Sequence, residues 1–380
     1  MKPGLSSFLD LSRWVAALLV LVGHVRNLGL ADLPAVRHPG MAVKALYFVT
    51  GFGHQAVVVF FVISGYLVGG LTLERWRRDG ADLRSYAIAR FSRIYTVLLP
   101  ALLLGLLFDW SGSHGFDGSH LYAGGQSVLH VEALTDLRPA DLGLATFAGN
   151  LLGLQGITVP TYGSNGPLWS LAYEWWYYWL FALAAGAALL PRRRIALGFG
   201  VAVLAALLPP PMLLWGAIWL LGLVLRLWTQ STRWKPHWSV GAVAFAVAMA
   251  WSRVVHPPLL AAQFGVDAAV GLAYATLVAG VARLPRPLPL QALHHRLADM
   301  SYTVYLTHFP ALVFICALGS QVFGLPLRAQ PTPVALLTCV ALVGVLLSWC
   351  ALVASLTERH TQAIRRAGTE LVSALLDRHT

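Results

Sequence analysis

Long apolar runs separated by short polar segments fill most of the chain. A helix needs about 20 apolar residues to cross a bilayer, within a range of about 17–25. Runs near this length predict ten membrane-spanning helices, at residues 9–28, 55–73, 94–110, 174–190, 195–209, 212–228, 238–254, 266–282, 301–320 and 334–356. The fifth run is short and ends in prolines, so it is expected to form a hairpin with the sixth. The pattern predicts an all-α, polytopic membrane protein.

Two segments fall outside this set. Residues 144–158 are only partly apolar, contain Gly and Asn, and are predicted to form a re-entrant or surface segment. At the C-terminal end, a cytoplasmic amphipathic tail is predicted at residues 361–380, after a transmembrane domain at 1–360. That tail is expected to be a helix on the inner membrane surface, and a solvated tail is an equally open alternative. Its apolar positions are Ile364, Ala367, Leu371 and Leu375, with basic residues opposite.

Composition agrees with a membrane location and excludes several classes of protein. Hydrophobic residues make up 57% of the chain and charged residues 11%, against about 45–50% and about 25% in soluble domains. These values exclude an ordinary soluble enzyme and a disordered chain. The net charge is +11, but the basic residues lie in gaps between apolar runs, and this distribution excludes nucleic acid as a partner.

The distribution of positive charge predicts the orientation. With the N-terminus inside, twenty of the 27 Lys and Arg residues fall in inner segments and six in outer segments. Cytoplasmic loops are enriched in Lys and Arg, so both termini are predicted to be cytoplasmic and the protein to lie in the inner membrane. An eleventh span at 144–158 would place most later basic clusters outside, which argues against it.

Cysteine and histidine patterns give no sign of a metal site. Cys316, Cys339 and Cys350 lie within apolar runs and are predicted to be small buried residues without disulfides. His294 and His295 are predicted to lie in a loop, and no metal is expected. The sequence also contains neither the G-x-S-x-G elbow of a serine hydrolase nor a G-x-x-x-x-G-K-[ST] phosphate loop.

The first span carries ionisable side chains, which are costly in a bilayer and therefore indicate function. Arg13 and His24 are eleven residues apart, which is about 1100° and about 16 Å along a helix, so they are predicted to share one face. Snorkelling of Arg13 and an interhelical hydrogen bond of His24 are the structural alternatives. Together the two residues predict a cavity with an anion site at its inner mouth and a base deeper inside.

The second and third spans carry small and basic residues. Ser64 and Gly65 permit close helix contact, and packing alone is a sufficient explanation for them. Arg90 and Arg93, at the inner end of the third span, are three residues apart and are predicted to share a face. They either bind phosphates or form an ordinary positive-inside cluster.

Polar stripes mark the fourth and ninth spans. Glu174 is either a functional carboxylate or a charge at a helix N-terminus. The Trp and Tyr residues around it fit an aromatic belt at the membrane interface. Cross-helix hydrogen bonding is the structural alternative for the stripe on the ninth span. The stripes consist of Ser170, Glu174 and Tyr178, and of Ser301, Tyr305 and His308.

Taken in order, these elements resemble the acyltransferase-3 family of integral membrane acyltransferases. The order and spacing of five blocks agree with the family from residue 8 to about residue 360. Any one block is weak evidence in apolar sequence, whereas five in order are specific. The blocks are Arg13-x10-His24, Phe60-Phe61-Val62-Ile63-Ser64-Gly65-Tyr66-Leu67, Arg90-x-x-Arg93-Ile94, Trp169-Ser170-Leu171-x-x-Glu174-x-x-x-Tyr178 and Ser301-Tyr302-x-x-Tyr305-Leu306-x-His308-x-Pro310.

The resemblance implies that residues 1–360 form a transmembrane acyltransferase domain. Family members move an acyl group, usually acetyl, from acyl-CoA to hydroxyl groups, commonly on cell-surface carbohydrate. Acyl-CoA, with acetyl-CoA expected, would be the donor substrate, a glycan or glycoside would be the acceptor, and no permanently bound cofactor is expected. His24 would act as general base or acyl relay.

The resemblance also implies roles for the other residues of the blocks. Glu174 and Arg13 would be further catalytic residues. The donor would be bound at the inner face by Arg13, Arg90 and Arg93. Substrate-binding or supporting roles would fall to Asp10, Ser64, Trp169, Ser170, Tyr178, Ser301, Tyr305 and His308.

Two other functions stay open. A transporter of a lipid-linked sugar or an anion would also contain buried charge, although the sequence has no paired halves or matching broken helices. Some family members carry an appended extracytoplasmic esterase-like domain, and none is predicted here. The second alternative is therefore a carrier that passes the acyl group across the membrane to a separate acceptor enzyme. The acceptor, the acyl chain length, the side from which the acceptor enters and the oligomeric state also stay open.

Overall fold

The computed structural model describes residues 1–122, 141–231 and 235–377. In these ranges α-helices are joined by short turns and one π-helical stretch. The described residues form no β-strand and contain two isolated β-bridges. The all-α prediction is confirmed for this part of the chain. The helices are α1 Pro3–Gly29, α2 Met41–Val49, α3 Gly53–Ser64, α4 Leu71–Asp79, α5 Leu83–Gly115, α6 Leu144–Leu151, α7 Leu168–Leu189, α8 Arg194–Leu207, α9 Pro210–Ser231, α10 Trp238–Ser252, α11 Leu260–Val281, α12 Gln291–Asp299, α13 Ser301–Phe323, α14 Pro333–Leu356 and α15 Thr361–Asp377.

Nine of the ten predicted spans lie on a single α-helix to within two residues, and the second, 55–73, covers α3, the π-helical stretch Gly65–Gly70 and the start of α4. Three of these helices do not have the combined length and hydropathy of a membrane span. They are α7, which is rich in Trp and Tyr, and the short helices α8 and α10, with 14 and 15 residues. Length and composition thus support a multi-pass membrane protein, while the number ten and the orientation stay predictions. Seven helical stretches of the described ranges meet the criterion: Pro3–Gly29, Met41–Asp79, Leu83–Gly115, Pro210–Ser231, Leu260–Val281, Ser301–Phe323 and Pro333–Leu375.

The segment predicted to be re-entrant or superficial contains only the short helix α6. Its eight residues extend about 12 Å, too little to cross a bilayer. Buried Asn150 holds the chain that follows: its amide donates to the Thr146 and Pro160 carbonyls and accepts from the Tyr162 N–H. Residues 123–140, which precede this segment, lie outside the described residues.

One compact unit consists of the described residues within 1–16, 54–90 and 173–298. Its centre is the contact between α9 and the end of α3 with the following π-helical turn, Gly65–Gly70. A Cβ added at Gly65 would overlap the Trp219 carbonyl, and one at Gly222 would overlap the Val62 carbonyl. These glycines therefore allow two backbones to touch, as the sequence pattern predicts.

A second compact unit consists of the described residues within 17–53, 91–172 and 299–380. Helix α13 is buried over most of its length and packs against α14. The nine-residue α2, which the sequence pattern did not predict, places Tyr47 in a core cluster with Leu30, Ala31 and Val36. Helices α1, α5 and α7 contribute residues to both units.

The predicted C-terminal tail is helical. Helix α15 covers Thr361–Asp377, and the last three residues of the predicted tail, 378–380, lie outside the described part of the chain. The turn Glu358–His360 separates α14 from α15, and the division into a transmembrane domain at 1–360 and a tail at 361–380 stays a prediction. Its position on a membrane surface stays a prediction.

Candidate functional site

His24 and His308 form a pair of stacked imidazoles in the second unit. The Nδ1 atom of His24 lies 2.8 Å from Nε2 of His308, and the ring centroids are 5.1 Å apart with nearly parallel planes. His308 is fully buried, whereas His24 keeps partial exposure. The edge of Phe309 packs against His24 at 4.7 Å. The resemblance implied only a supporting role for His308, and the structure makes it the direct partner of His24.

The surrounding carbonyls fix which nitrogen of each ring carries the proton. The Nδ1 atom of His308 lies 2.7 Å from the Val304 carbonyl and 3.1 Å from the Tyr305 carbonyl. A carbonyl only accepts, so this nitrogen is the N–H donor and Nε2 of neutral His308 is an acceptor. Nδ1 of His24 must then donate to it. Nε2 of His24 is left with a lone pair, and among the described residues no hydrogen bond to it is made.

A proline in the same helix leaves one backbone carbonyl near this pair without its helical hydrogen bond. Pro310 has no N–H, so the carbonyl of Leu306, four residues earlier, loses its usual helical donor. The side-chain amide of Asn165 replaces it, with Nδ2 donating to Leu306 O at 2.9 Å. Asn165 is buried and lies three residues before α7 begins. The loop that precedes α7 is thereby attached to α13 within one turn of His308.

We expect Asn165→Ala to lower the apparent melting temperature of the detergent-solubilised protein by several degrees. The buried Leu306 carbonyl would lose its donor, and an unsatisfied buried carbonyl costs about 1–3 kcal/mol. In a Pro310→Ala background a backbone N–H is available for the same carbonyl, so the loss caused by Asn165→Ala should fall to less than half. Equal losses in the two backgrounds would contradict this assignment.

The start of α7 is attached to α13 at a second place. Ser170 Oγ and Tyr305 OH are 2.7 Å apart, and Tyr305 OH donates to the Pro167 carbonyl at 3.2 Å. Ser170 and Tyr305 are buried, and so is Ser301 at the first turn of α13, whereas Trp169 is half-buried. The polar stripe predicted on the ninth span thus faces the protein interior. Its tyrosine contacts Ser170 of α7 and Pro167 in the loop before α7, and its histidine contacts His24 of α1.

Glu174 lies at the centre of a hydrogen-bonded cluster in the first unit. Its Oε1 atom accepts from Ser64 Oγ at 2.7 Å and from Tyr178 OH at 2.5 Å. Trp219 Nε1 donates to Ser64 Oγ at 3.0 Å. Within the described residues Oε2 makes no hydrogen bond, so one oxygen is held in place while the other stays available. Glu174 is the seventh residue of α7, so it is not a charge at the helix N-terminus.

The three polar residues of the stripe predicted on the fourth span therefore contact different helices. Glu174 and Tyr178 contact Ser64, whereas Ser170 contacts Tyr305. The serine of the second-span block has a polar role beside its packing role, because its hydroxyl connects Trp219 to the carboxylate. The pairing was not visible in sequence, since these helices are far apart along the chain.

Arg90 and Arg93 have different neighbours although they are three residues apart. Arg90 lies over the rings of Tyr86 and Tyr178, at 5.6 and 5.5 Å from their centroids. Its buried Nε makes no hydrogen bond, and no described carboxylate pairs with its guanidinium. Arg93 Nη1 pairs instead with Glu358 at 2.7 Å. Among the described residues Arg90 thus has two aromatic rings in place of a paired carboxylate.

Glu358 is a residue that the sequence analysis missed. Its second carboxylate oxygen accepts from the backbone N–H and the hydroxyl of Thr303, at 3.1 and 2.8 Å. The Tyr302 ring lies 4.8 Å from the Arg93 guanidinium. Glu358 is 8% exposed, so this ion pair holds the end of α14 against α5 and α13. No signal in the sequence singled it out among the charges that follow the last apolar run.

Asp10 and Arg13 lie one turn apart on α1, with a separation of 4.0 Å between their charged atoms. His295 approaches Asp10 at 3.4 Å, and Trp14 Nε1 donates to His294 at 3.2 Å. Both histidines belong to the nine-residue α12, so the prediction that they lie in a loop was wrong: so short a helix between two apolar runs leaves little periodic signal. Helix α1 is continuous from Arg13 to His24, and the shared cavity stays a prediction.

Two other buried carboxylates hold helix ends in place. Asp267 accepts from His54 at 2.7 Å and from Trp215 at 2.9 Å. Asp109 accepts from the backbone N–H and the hydroxyl of Ser164, at 2.6 and 2.8 Å. Buried carboxylates need such donors because their charge is costly in an apolar interior. The sequence analysis named neither aspartate.

Comparison with known proteins agrees with the resemblance drawn from the five blocks. Residues 6–353 match the acyltransferase-3 family model, described as an acyltransferase domain. A similar protein is Acyltransferase MdmB of Streptomyces mycarofaciens, 28% identical over 328 residues, a match that covers 78% of this chain and 76% of the relative. No solved structure shows significant similarity to the chain. The family match extends over nearly the whole sequence, and this chain therefore belongs to the acyltransferase-3 family of membrane acyltransferases.

Proposed function

We propose that this protein is an O-acyltransferase that moves an acyl group, with acetyl expected, from cytoplasmic acyl-CoA to a hydroxyl of a cell-surface glycan or related glycoside. The observation that carries the proposal is the His24–His308 pair, which leaves Nε2 of the partly exposed His24 unprotonated and, among the described residues, without a hydrogen bond. An imidazole so oriented can remove a proton from a hydroxyl or accept an acyl group. Family membership supports the acyl-transfer chemistry.

The reaction proposed at His24 is a transfer from a thioester to an alcohol. Nε2 removes the proton from the acceptor hydroxyl, whose oxygen forms the new ester bond as the carbon–sulfur bond of the thioester breaks, and the proton passes to the leaving thiolate. In the relay variant, Nε2 itself first carries the acyl group. His308 holds the Nδ1–H of His24 in both variants. The apolar helices around the pair limit access of water and hence wasteful hydrolysis.

The proposed topology gives the donor its side. Ten spans with both termini in the cytoplasm would place the thioester donor at the inner face of the inner membrane. Arg13 and Arg90 would bind the CoA phosphates there, with Asp10 orienting Arg13. Arg93 pairs with Glu358, so its part in donor binding stays a prediction. Glu174, with its available oxygen and its link to Ser64 and Tyr178, would orient an acceptor hydroxyl.

The central test is a two-substrate assay on the purified protein in lipid nanodiscs. Acyl-CoA should release free CoA thiol in the presence of the acceptor glycan, and the glycan should gain one acyl mass. Mass spectrometry of surface glycans from cells with and without the protein identifies the acceptor. Transport of a glycan without CoA release, or acyl transfer that requires a second enzyme, would overturn the proposal.

Arg90→Gln is expected to raise the KM for acyl-CoA by about tenfold to 100-fold, because a hydrogen bond to a charged group contributes about 1.5–3 kcal/mol. The KM for acyl-pantetheine, which lacks the CoA phosphates, should change little. The matched control is Arg77→Gln, at an exposed arginine near the end of α4. An equal rise for both donors would show that Arg90 does not act on the phosphates.

A further inference from the structure

The C-terminal helix α15 begins directly where a lipid-facing helix ends. Helix α14 exposes large apolar side chains along its length, including Val334, Val345 and Leu356, as a helix in contact with lipid does. The turn that follows is fixed by buried Glu358, which pairs with Arg93. The first residue of α15 is therefore held close to the end of a helix that the length and composition of its residues suit to a membrane.

One side of α15 is apolar and uncovered. Ile364, Leu371 and Leu375 are 46%, 62% and 49% exposed, and at 100° per residue they lie within about 40° of one another. Among the described residues, none covers this stripe. A 17-residue helix with such a stripe in water is only marginally stable by itself. The helix therefore needs an apolar surface within reach of its first turn.

The charges beside the stripe indicate what that surface is. Arg359, in the turn before α15, and Arg365 and Arg366, in its first turns, are exposed and lie near the end of α14. At 100° per residue Arg365 lies about 100° from the middle of the stripe, Glu370 about 120° away on the other flank, and Arg366 about 160° away. An exposed apolar stripe on a helix whose arginines gather at the end next to an apolar, lipid-facing helix is typical of a helix in the interface of a bilayer with anionic headgroups.

We propose that α15 lies flat on the adjoining leaflet and binds anionic phospholipid through Arg359, Arg365 and Arg366, with Ile364, Leu371 and Leu375 inserted at the level of the acyl chains. This surface is separate from the acyl-transfer residues, and its test does not depend on activity. Through Glu358, the docked helix would also keep the pairing partner of Arg93 in place.

Hydrogen–deuterium exchange of the full-length protein in nanodiscs tests the proposal. The amides of residues 361–375 should exchange at least about tenfold more slowly in discs that contain phosphatidylglycerol than in discs of phosphatidylcholine alone. Raising the salt concentration should reduce this difference, because screening weakens the attraction between arginines and headgroups.

Two pairs of substitutions separate the apolar and the polar sides of the helix. Ile364→Ser with Leu371→Ser should abolish protection in both lipids, whereas Gln362→Ser with Thr369→Ser, on the opposite side, should retain it. Arg365→Gln with Arg366→Gln should remove the preference for phosphatidylglycerol. Fast exchange of the wild-type helix in every lipid would mean a solvated tail. Protection in detergent that disappears on dilution would mean contact with a second copy, and either result would overturn the proposal.

Discussion

Replacing His24 with alanine is expected to reduce kcat for acyl transfer by at least about 100-fold, because a positioned general base contributes about 10²–10⁴ in rate. His24 Nε2 is the unprotonated nitrogen of the imidazole pair, and the exposed fraction of the pair belongs to His24 rather than to His308. The measurement is acceptor-dependent release of CoA thiol by the purified variant in nanodiscs.

The control for this substitution is His114→Ala, at an exposed histidine near the end of α5. It should leave kcat within about twofold of the wild type, as expected for a surface site without a catalytic role. Folding of His24→Ala is checked by its melting temperature and its elution as a single species. Full activity in a folded His24→Ala protein would remove His24 from the mechanism, and the proposed chemistry would then need another base.

A further measurement decides between the two roles proposed for His24. Incubation with acyl-CoA and no acceptor, followed by acid quenching and mass spectrometry, should show an acyl group on His24 if this residue carries it. A general base leaves no such adduct. In either role the His24→Ala variant loses activity, so the adduct decides the order of steps rather than the identity of the residue.

Most of the helical architecture follows from the sequence, because a membrane span needs a long run of apolar residues and little else. The runs at α1, α13 and α14 illustrate this: each predicted range lies inside one helix. Helix α2 was not predicted, because its nine residues include Lys44 and are too few to stand out as a span. Short helices owe their stability to packing, which the local pattern does not contain.

The site was predictable only within single helices. Periodicity indicated that Ser301, Tyr305 and His308 share a face, and all three are buried. The contact between His24 and His308 joins residues 284 positions apart, and their register depends on the packing of whole helices. Arg90 and Arg93 show the limit of the same method: periodicity fixes the direction of the Cβ atoms, while the long side chains turn toward whichever partner is near.

The attachment of Asn165 to α13 is a case in which the sequence contained a usable signal. A proline inside a helix always frees the carbonyl four residues earlier, so Pro310 indicates that Leu306 needs an outside donor. The sequence does not indicate which side chain supplies it. Asn165 becomes the donor because the loop before α7 is folded against α13 by Ser170 and Tyr305. Ser170 and Tyr305, which belong to different sequence blocks, thus attach the start of α7 to α13 together with Asn165.

Substitutions at His308 are expected to lower kcat while leaving the KM for acyl-CoA within about twofold, because His308 contacts His24 and has no assigned contact with the donor. His308→Asn keeps a donor for the Val304 carbonyl but is too short to accept from His24. The buried Nδ1–H of His24 then has no partner, at a cost of about 1–3 kcal/mol, and the orientation of the base is lost. We expect a fall in kcat of about tenfold to 100-fold, measured as CoA release.

His308→Gln provides the matched comparison, because its side chain reaches the position of the imidazole Nε2 and its oxygen can accept from His24 Nδ1. It gives up the bond to the Val304 carbonyl, which the helix backbone already satisfies. Activity should therefore be recovered to within about tenfold of the wild type in Gln but not in Asn. Because Asn also leaves a buried donor unsatisfied and should melt at a lower temperature, kcat is compared at a temperature at which both variants are fully folded. A purely structural role would give the two fully folded variants equal kcat. If Asn proved as active as Gln, the proton on His24 would not be held by His308, and Nε2 would no longer be singled out as the reactive nitrogen.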